Sequence, residues 1–462
     1  MLNRRAAPIV VALIFMVAAA VAQQPEQGKV AVTAPGAIET GGWPAFRGPN
    51  HDGVSRETDW TAKWPTQGLS KVWETKLAPD FNGLSLQDGR LYTMGTPDRK
   101  AQTLAYCLDA ATGKVLWECP IGPLIDGTGS GATPAVSGTH VVAVSAAGRI
   151  VCINGDDGAV AWDVELGLKP AQYCYSSSPL IHRGTVIVLA GPAIRAFDLA
   201  TGKLQWKTDW RVPAGGGRWS SPVLGVFDGQ ETVVCLSRSN LVGLNPDDGH
   251  ERWKFALEDE PKGEDLPNTP VIVGNRIAFL AFRAEAARKT RIVCVEIRNG
   301  APVECWRSKD KIGNRTQSLV AWDSRLYLTS AFNPANNPSA ALKDIVGAVH
   351  CFDLQTGDVL WVSNAPQMQM PLGAGNKPGN DNDGGTFAMA GGKLLLLNSA
   401  GCLTVSDVSA KGCTLLSHAD LSADLQSSRA WCGWQFMVPP LLLNGRLYLR
   451  NHENIACYDV RK

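Results

Sequence analysis

The residues of this chain able to do chemistry are its cysteines, its histidines and one acidic run. The run is Asn380-Asp381-Asn382-Asp383-Gly384-Gly385, whose hard oxygen donors would suit Ca²⁺. It departs from the calcium-loop pattern, because Gly379 stands at the first ligand position and Ala390 at the last, so it reads as a solvated turn. The 7 histidines, at 51, 140, 182, 250, 350, 418 and 452, include no pair at metal-ligand spacing. His350 precedes Cys351 in a strand-like stretch and is expected to face out of its sheet. A second acidic run, Glu258-Asp259-Glu260, lies beside Lys262 and reads as a hydrated loop. There is no Gly-x-Ser-x-Gly elbow, and Gly215-Gly216-Gly217 precedes a strand rather than opening a helix, so it is no phosphate cradle.

The cysteines obey a register instead. A phrase recurs in which a polar residue is followed by a Thr or Asp, a Gly and then a Trp: CLDAATGKVLW ends at Trp117, AFDLATGKLQW at Trp206 and CFDLQTGDVLW at Trp361. Looser copies end at Trp162 and Trp253, and CVEIRNGAPVECW reaches Trp306 with extra residues after Gly300. Cys107, Cys152, Cys294, Cys351 and Cys457 all stand two residues before the Asp, Asn or Glu of a copy, where other copies have Ala196, Gly243 and Val405. Such a position calls for a small buried residue, and equivalent positions in successive repeats are too far apart to bridge, since a disulfide needs Cα atoms within about 7 Å. These five are expected to be free thiols in the core. Among Cys119, Cys174, Cys235, Cys305, Cys402, Cys413 and Cys432 one or two bridges remain open.

A period of roughly 45 to 55 residues marks a repeat array and overrides the two or three domains that length alone suggests. With 47 Gly, 28 Pro and 15 Trp, the usage is that of a turn-rich all-β protein. Charged residues make up 19% and the net charge is +1, which gives no electrostatic footprint for nucleic acid or an anionic membrane. Residues 1–22 have Arg4 and Arg5, an apolar core and Ala20-Val21-Ala22 before Gln23, the pattern of a cleavable signal peptide. The mature chain is therefore expected to be periplasmic or secreted, monomeric and without a transmembrane segment. Residues 23–41 read as a flexible linker, 42–70 as a lead-in segment containing WPAFRGPNHDGVS, and 71–462 as the array.

Each unit plans out as four strands. Thr133-Pro134, Ser178-Pro179, Ser221-Pro222 and Thr269-Pro270 open first strands, the Asp-type residue ends the third and the Trp lies on the fourth. The short polar side chain suits a turn that bonds backbone N–H groups, and the Gly supplies positive φ. The Trp fills the space between neighbouring sheets, where an indole buries about 150 to 250 Å². Units end at Trp117, Trp162, Trp206, Trp253, Trp306 and Trp361; a degenerate seventh puts Leu415 or Leu416 at the Trp position. The eighth stops short at Lys462, and Lys71-Val72-Trp73-Glu74 supplies the missing strand, so an N-terminal strand closes the ring and removes its open edges. The count is eight blades, or seven if the degenerate unit is an insertion.

These copies resemble the pyrroloquinoline-quinone-like propeller repeat, whose tryptophan-docking motif runs Ala-x-Asp-x-x-Thr-Gly-x-x-x-Trp, and the resemblance covers essentially Lys71 to Lys462. It implies an all-β, eight-bladed propeller. Two functional branches share that fold: quinone- and calcium-dependent alcohol or sugar dehydrogenases, and non-catalytic BamB-type propellers. The lead-in is also similar to the opening of exported propellers of planctomycete type. The dehydrogenases typically set an adjacent Cys-Cys pair against the quinone, and no such pair occurs in this sequence. A non-catalytic scaffold binding an envelope protein, peptide or glycan is thus the first reading, and a quinoprotein oxidoreductase using pyrroloquinoline quinone and calcium the alternative.

Either function would use the mouth of the ring, built by the loops that precede each first strand. Those loops carry Tyr173, Tyr175, Arg218 and Trp219, then Asn268, Asn314 and Arg315. Later ones add Asp381, Asp383, Trp431 and Trp434. Aromatics and Arg anchor interfaces and line pockets, although any one of these residues could equally cap the channel or pack between blades. The register is testable: Trp206→Ala should empty an inter-sheet site and cost about 3 to 5 kcal/mol in urea unfolding. An unchanged unfolding midpoint would mean that the strands are misassigned.

Overall fold

The structure is a computed structural model describing residues 42–65, 68–97, 102–123, 131–167, 176–209, 219–237, 239–257, 268–282, 290–309, 317–329, 348–363, 385–398, 401–426 and 436–462. The expected signal peptide and linker lie outside the described residues. Eight antiparallel sheets follow one another, each ordered by sequence from a first strand to a fourth. Blade one runs from Ser85–Gln87 to Val115–Pro123, two from Ala135–Ser137 to Val160–Glu165, three from Leu180–His182 to Leu204–Asp209, and four from Val223–Phe227 to Glu251–Ala256. Blade five runs from Val271–Val273 to Ala301–Arg307, six from Val320–Trp322 to Val359–Val362, and seven from Thr386–Ala390 to Gly412–Asp420. Blade eight joins Leu441–Leu443, Arg446–Arg450 and Asn454–Asp459 to the N-terminal strand Ser70–Lys76, which pairs antiparallel with Asn454–Asp459 and closes the ring. The chain is an all-β eight-bladed propeller. First strands of neighbouring blades touch one another around the axis, while fourth strands form the rim and hold its exposed apolar side chains, Leu116 and Leu204 among them.

The recurring phrase is a docking device. In blade one the Asp109 carboxylate accepts from the Ala111 and Thr112 N–H groups and from the Thr112 hydroxyl, which shapes the turn. The next carbonyl along, Ala110, is left pointing at the preceding blade, and the Trp73 indole Nε1–H donates to it at 3.0 Å. The same bond joins Trp117 to Gly155, Trp162 to Leu199, Trp206 to Pro246, Trp306 to Leu354 and Trp361 to Ser409, at 2.7 to 2.9 Å. The glycine of the turn lies under the incoming ring: a Cβ on Gly202 would sit 2.6 Å from the Trp162 indole. One residue before each Trp the ladder slips, so that Leu116 and Trp117 both oppose Cys107, and the equivalent residue of every other blade makes the same bulge. A bulge bends a strand and spoils it as a template for edge pairing, which protects a rim made of eight edges.

The small-residue position is the cross-strand partner of the Trp. Cys107 pairs with Trp117, Cys152 with Trp162, Ala196 with Trp206 and Gly243 with Trp253. Cys294 pairs with Trp306, Cys351 with Trp361 and Cys457 with Trp73. All five cysteines are buried free thiols. Burial raises each of them, Cys107, Cys351 and Cys457 to about 11 and Cys152 and Cys294 to about 12, so they stay protonated at neutral pH.

Two local expectations are corrected. In blade seven the residue opposite Val405 is Ser417, not Leu415 or Leu416, because the bulge falls at Leu416. The missing indole is replaced from outside the repeat: Trp60 of the lead-in is buried in the cluster shared by blades seven and eight, and Trp64 donates its N–H to the Ser417 hydroxyl at 2.9 Å. His350 does not face outward; it is buried, stacked 6.0 Å from Phe352, and burial pulls it down to about 4. Alternation along a third strand does not separate core from solvent, since both faces are covered by neighbouring blades. In blade five, Asn299 and Gly300 both take positive φ, 51° and 74°, in a two-residue hairpin that absorbs the extra length of that copy.

Comparing two glycines isolates the docking contact. Gly184 and Gly202 have similar φ, +76° and +69°, but a Cβ on Gly184 meets nothing within 4 Å. Both alanine variants incur the left-handed penalty of about 1 to 2 kcal/mol. Gly202→Ala should lose about 1 to 3 kcal/mol more, through overpacking against Trp162, when the two are compared by urea unfolding. Equal losses would show that the turn and the indole are not in contact.

Candidate functional site

The lead-in segment blocks one end of the central channel. It begins by bridging Trp43 to Leu86, N–H to carbonyl in both directions at 2.6 and 2.8 Å, on the first strand of blade one. The Pro44 carbonyl then accepts from Val136 of blade two at 2.8 Å. A coil with positive φ at Arg47, Gly48, His51 and Gly53 follows, tight enough that the Trp43 ring lies on Gly48. Val54–Ser55 then pairs in parallel with Met389 and Ala390 of blade seven. A segment that touches first strands of blades one and two at its start and, through Arg47, carbonyls of blades five and six on the far side of the ring crosses the axis. Farther on, the Glu57 carboxylate accepts from the Asn444 and Gly445 N–H groups in the first hairpin of blade eight. That contact puts the crossing toward the face formed by first-to-second-strand hairpins, opposite the mouth.

Arg47 fastens the crossing. Its guanidinium is buried and donates to the carbonyls of Leu319, Asp52 at 2.9 Å and Thr269 at 3.4 Å, reaching blades five and six. Burial pulls it down to about 10, opposed by the nearby Asp52 charge, so it remains a cation at neutral pH. The Asp52 carboxylate caps the Val54 N–H at 3.0 Å and pairs with Arg56 at 3.0 Å.

The mouth end is held by a girdle. The Thr133 N–H donates to the Ser178 hydroxyl, Ser178 to Ser221, Ser221 to Thr269 and Thr269 to Ser318, at 2.8 to 3.1 Å, linking blades two to six in turn. The Ser/Thr-Pro pairs that open strands in the sequence are thus the links of an inter-blade chain. A second buried cation, Arg450, joins blade eight to blade one by donating to the Asn82 and Met94 carbonyls and the Thr93 hydroxyl. It too is drawn down to about 10 by burial, with Asp80 opposing.

Of the mouth residues named from the sequence, Tyr173, Tyr175, Arg218, Asn314, Arg315, Asp381, Asp383, Trp431 and Trp434 lie outside the described residues. Trp219 stands directly before Ser220-Ser221-Pro222, at the entry of blade four. Asn268 is buried and wired to its own blade: its amide donates to the Leu280 carbonyl at 3.4 Å and its oxygen accepts from the Leu280 N–H at 3.2 Å. Ser177 and Ser220, at the same level of blades three and four, are buried, and their hydroxyls bond nothing among the described residues.

Oxygen donors of the kind a calcium ion needs are committed here. Asn398 accepts from the Cys402 N–H, Asn451 from the Glu453 and Asn454 N–H groups, and Asp80 from the Phe81 N–H and the Thr96 hydroxyl. Using these three side chains as calcium ligands would compete with those scaffold bonds. Among the described residues no cluster of His, Cys, Asp and Glu could hold a metal, and no helix is long and apolar enough to cross a membrane.

Seven four-stranded sheets and one of five, joined at six junctions by a tryptophan bonded to the turn of the next blade and closed by an N-terminal strand, define the quinoprotein-like propeller class. Within it, the family model described as outer membrane protein assembly factor BamB matches residues 60–192 and 100–363. The chain belongs to that family. It is 27% identical to the outer membrane protein assembly factor BamB of Burkholderia pseudomallei over 265 residues, 55% of this chain and 59% of that protein. It is also 27% identical to a quinate/shikimate dehydrogenase (quinone) of Acinetobacter baylyi over 197 residues, 32% of this chain and 23% of that one. The chain spans less than two thirds of the length of these curated relatives. The crystal structure of BamB from Moraxella catarrhalis superposes with a TM-score of 0.56 at 14% identity, covering 85% of this chain and 97% of that chain, a likeness of fold.

Removing the Arg47 guanidinium tests how firmly the lead-in is seated. Arg47→Ala strands the Leu319, Asp52 and Thr269 carbonyls and should lower unfolding free energy by at least about 2 to 3 kcal/mol. Limited proteolysis should then cut within 43–55 before the blades. Unchanged stability together with a protected lead-in would show that Arg47 does not hold the crossing.

Proposed function

We propose that this protein is an exported propeller of the cell envelope that works without catalysis, as a scaffold whose mouth binds a protein, peptide or glycan. One observation carries the reading. The chain's own lead-in crosses the channel in which the alternative, a pyrroloquinoline-quinone- and calcium-dependent dehydrogenase, would hold its cofactor, and Arg47 is already spent on carbonyls there. A channel sealed from one face is open to a partner from the other, and the loops of that face are where the sequence puts its aromatics and arginines. Relatives named as assembly factors and as dehydrogenases share the repeat, so family membership leaves both activities open. The buried hydroxyls of Ser177 and Ser220 and the part-buried Trp219 are the proposed handholds, and Tyr173, Tyr175, Arg218, Asn314, Arg315, Asp381, Asp383, Trp431 and Trp434 are proposed to contribute to the same face.

The two functions separate in one titration. Full-length protein mixed with pyrroloquinoline quinone and Ca²⁺ should leave the quinone absorption unshifted well above micromolar concentration and show no dye-linked alcohol oxidation. A saturable shift accompanied by turnover would overturn the scaffold reading. In parallel, envelope extract passed over the immobilised protein should yield a partner whose retention falls at least tenfold with the Arg218→Ala, Trp219→Ala double variant. Retention unaffected by that variant would move the binding face away from blade four.

A further inference from the structure

Blade five differs from the other seven in its thiols. Every blade has a small residue opposite its docking position and a bulge residue one place before it. The bulge residues elsewhere are Val72, Leu116, Ala161, Gln205, Arg252, Leu360 and Leu416; in blade five it is Cys305, and the residue it shares with Trp306 is Cys294. The sequence pattern alone assigns these two cysteines to separate groups, one a core packing position and the other outside the register. The bulge brings them together.

Two residues of a bulge oppose one residue of the partner strand, and their side chains turn toward the same face. Cys305 is on the face of Cys294, because its thiol donates to the Glu296 carboxylate at 3.5 Å and Glu296 follows Cys294 by two along the same strand. The register partner of Cys294 is Trp306, and Cys305, one residue earlier, shares the bulge opposite it; residues opposed across an antiparallel pair have Cα atoms about 4.5 to 5.5 Å apart, and disulfides span roughly 4.4 to 6.8 Å. Both are thiols in this structure, Cys294 fully buried and Cys305 part-exposed on the rim strand.

We propose that Cys294 and Cys305 are a redox pair that closes to a cross-strand disulfide in an oxidising compartment, stapling the rim strand Ala301–Arg307 of blade five to Thr290–Arg298. Cys305, the accessible partner, reacts first: its thiolate attacks one sulfur of an oxidant disulfide and releases one thiolate from it. The Cys294 thiolate then displaces the second thiolate. Two protein thiols become one S–S bond, and the oxidant departs as two thiols carrying the two electrons and the two protons. Burial, with the hydrogen-bonded Glu296 carboxylate, holds the Cys305 thiol above its ordinary range, while Arg276 and Arg298, at 3.7 and 2.8 Å from that carboxylate, pull the other way. Mildly alkaline pH should therefore speed the closure. The pairing does not depend on what the mouth binds.

Trypsin reads the bond directly, because Arg298 separates Ile292–Arg298, which contains Cys294, from Asn299–Arg307, which contains Cys305. Folded full-length protein is incubated with oxidised glutathione at mildly alkaline pH, blocked with iodoacetamide, and digested without reductant. The expected product is the two peptides joined at the sum of their masses less two hydrogens, replaced after dithiothreitol by two separately alkylatable peptides. In Cys294→Ser the same treatment should leave Cys305 as its glutathione mixed disulfide. Recovery of both wild-type peptides unlinked from the oxidised, still-folded protein would overturn the proposal, as would Cys305 joined to any other cysteine.

Discussion

The ring rests on one hydrogen bond repeated at six of its junctions, the indole N–H of a rim strand given to the turn of the next blade. A four-stranded sheet with two apolar faces cannot stand alone in water, so every blade must bury both faces on neighbours. Burying an indole there brings a polar N–H with it, and leaving that group unpaired would cost about 1 to 3 kcal/mol. The Asp-type turn solves this by using its side chain to satisfy its own N–H groups, which leaves a carbonyl free to face the incoming ring. Each element of the phrase follows: the acid shapes the turn, the glycine clears space above it, and the tryptophan fills that space and takes the carbonyl.

That economy explains what could be read in advance. A device reused from blade to blade leaves a periodic trace, so strand order, blade count and the closing strand around Trp73 were all legible. Even the cysteines were, since a residue placed opposite an indole must be small. The features that escaped are those made once. Trp60 replaces the absent indole of blade seven from a segment with no repeat character, and nothing local to Ser417 announces it. Arg47 reaches carbonyls of Thr269 and Leu319, far away in sequence, so its role exists only when the ring is closed. His350 misled because outward alternation presumes a solvent-facing side, and a third strand in a propeller has none. At the mouth, only Trp219 and Asn268 of the named residues are described, and Asn268 spends its amide on Leu280; the hydroxyls of the Ser/Thr-Pro pairs were visible as strand openers, but their bonds to the next blade were not.

Closure and obstruction are coupled through the same N-terminal stretch. The strand that completes blade eight is preceded directly by the residues that cross the channel, so the chain enters by filling the hole it is about to seal. The buried cations share this logic. Arg47 and Arg450 each cross a junction where the repeat cannot supply a link, one over the axis and the other between the last blade and the first. A guanidinium suits such places, because its fork can satisfy several carbonyls at once where an apolar residue would leave them stranded.

The pairing across the rim strands shows how closely volume is balanced. Where the docking residue is tryptophan, its partner is Cys, Ala or Gly; where it is Ser417, the partner is Val405, the one branched side chain in the series. The larger residue has moved to the other strand, and the space between blades seven and eight is completed by Trp60. Core positions accept substitution when total volume is conserved, so this exchange is what a repeat can tolerate without losing its neighbour. It also explains why cysteine recurs at the opposed site. A thiol beneath an indole, raised by burial, is small and unreactive, and it gains a chemistry of its own only where the bulge sets a second sulfur beside it.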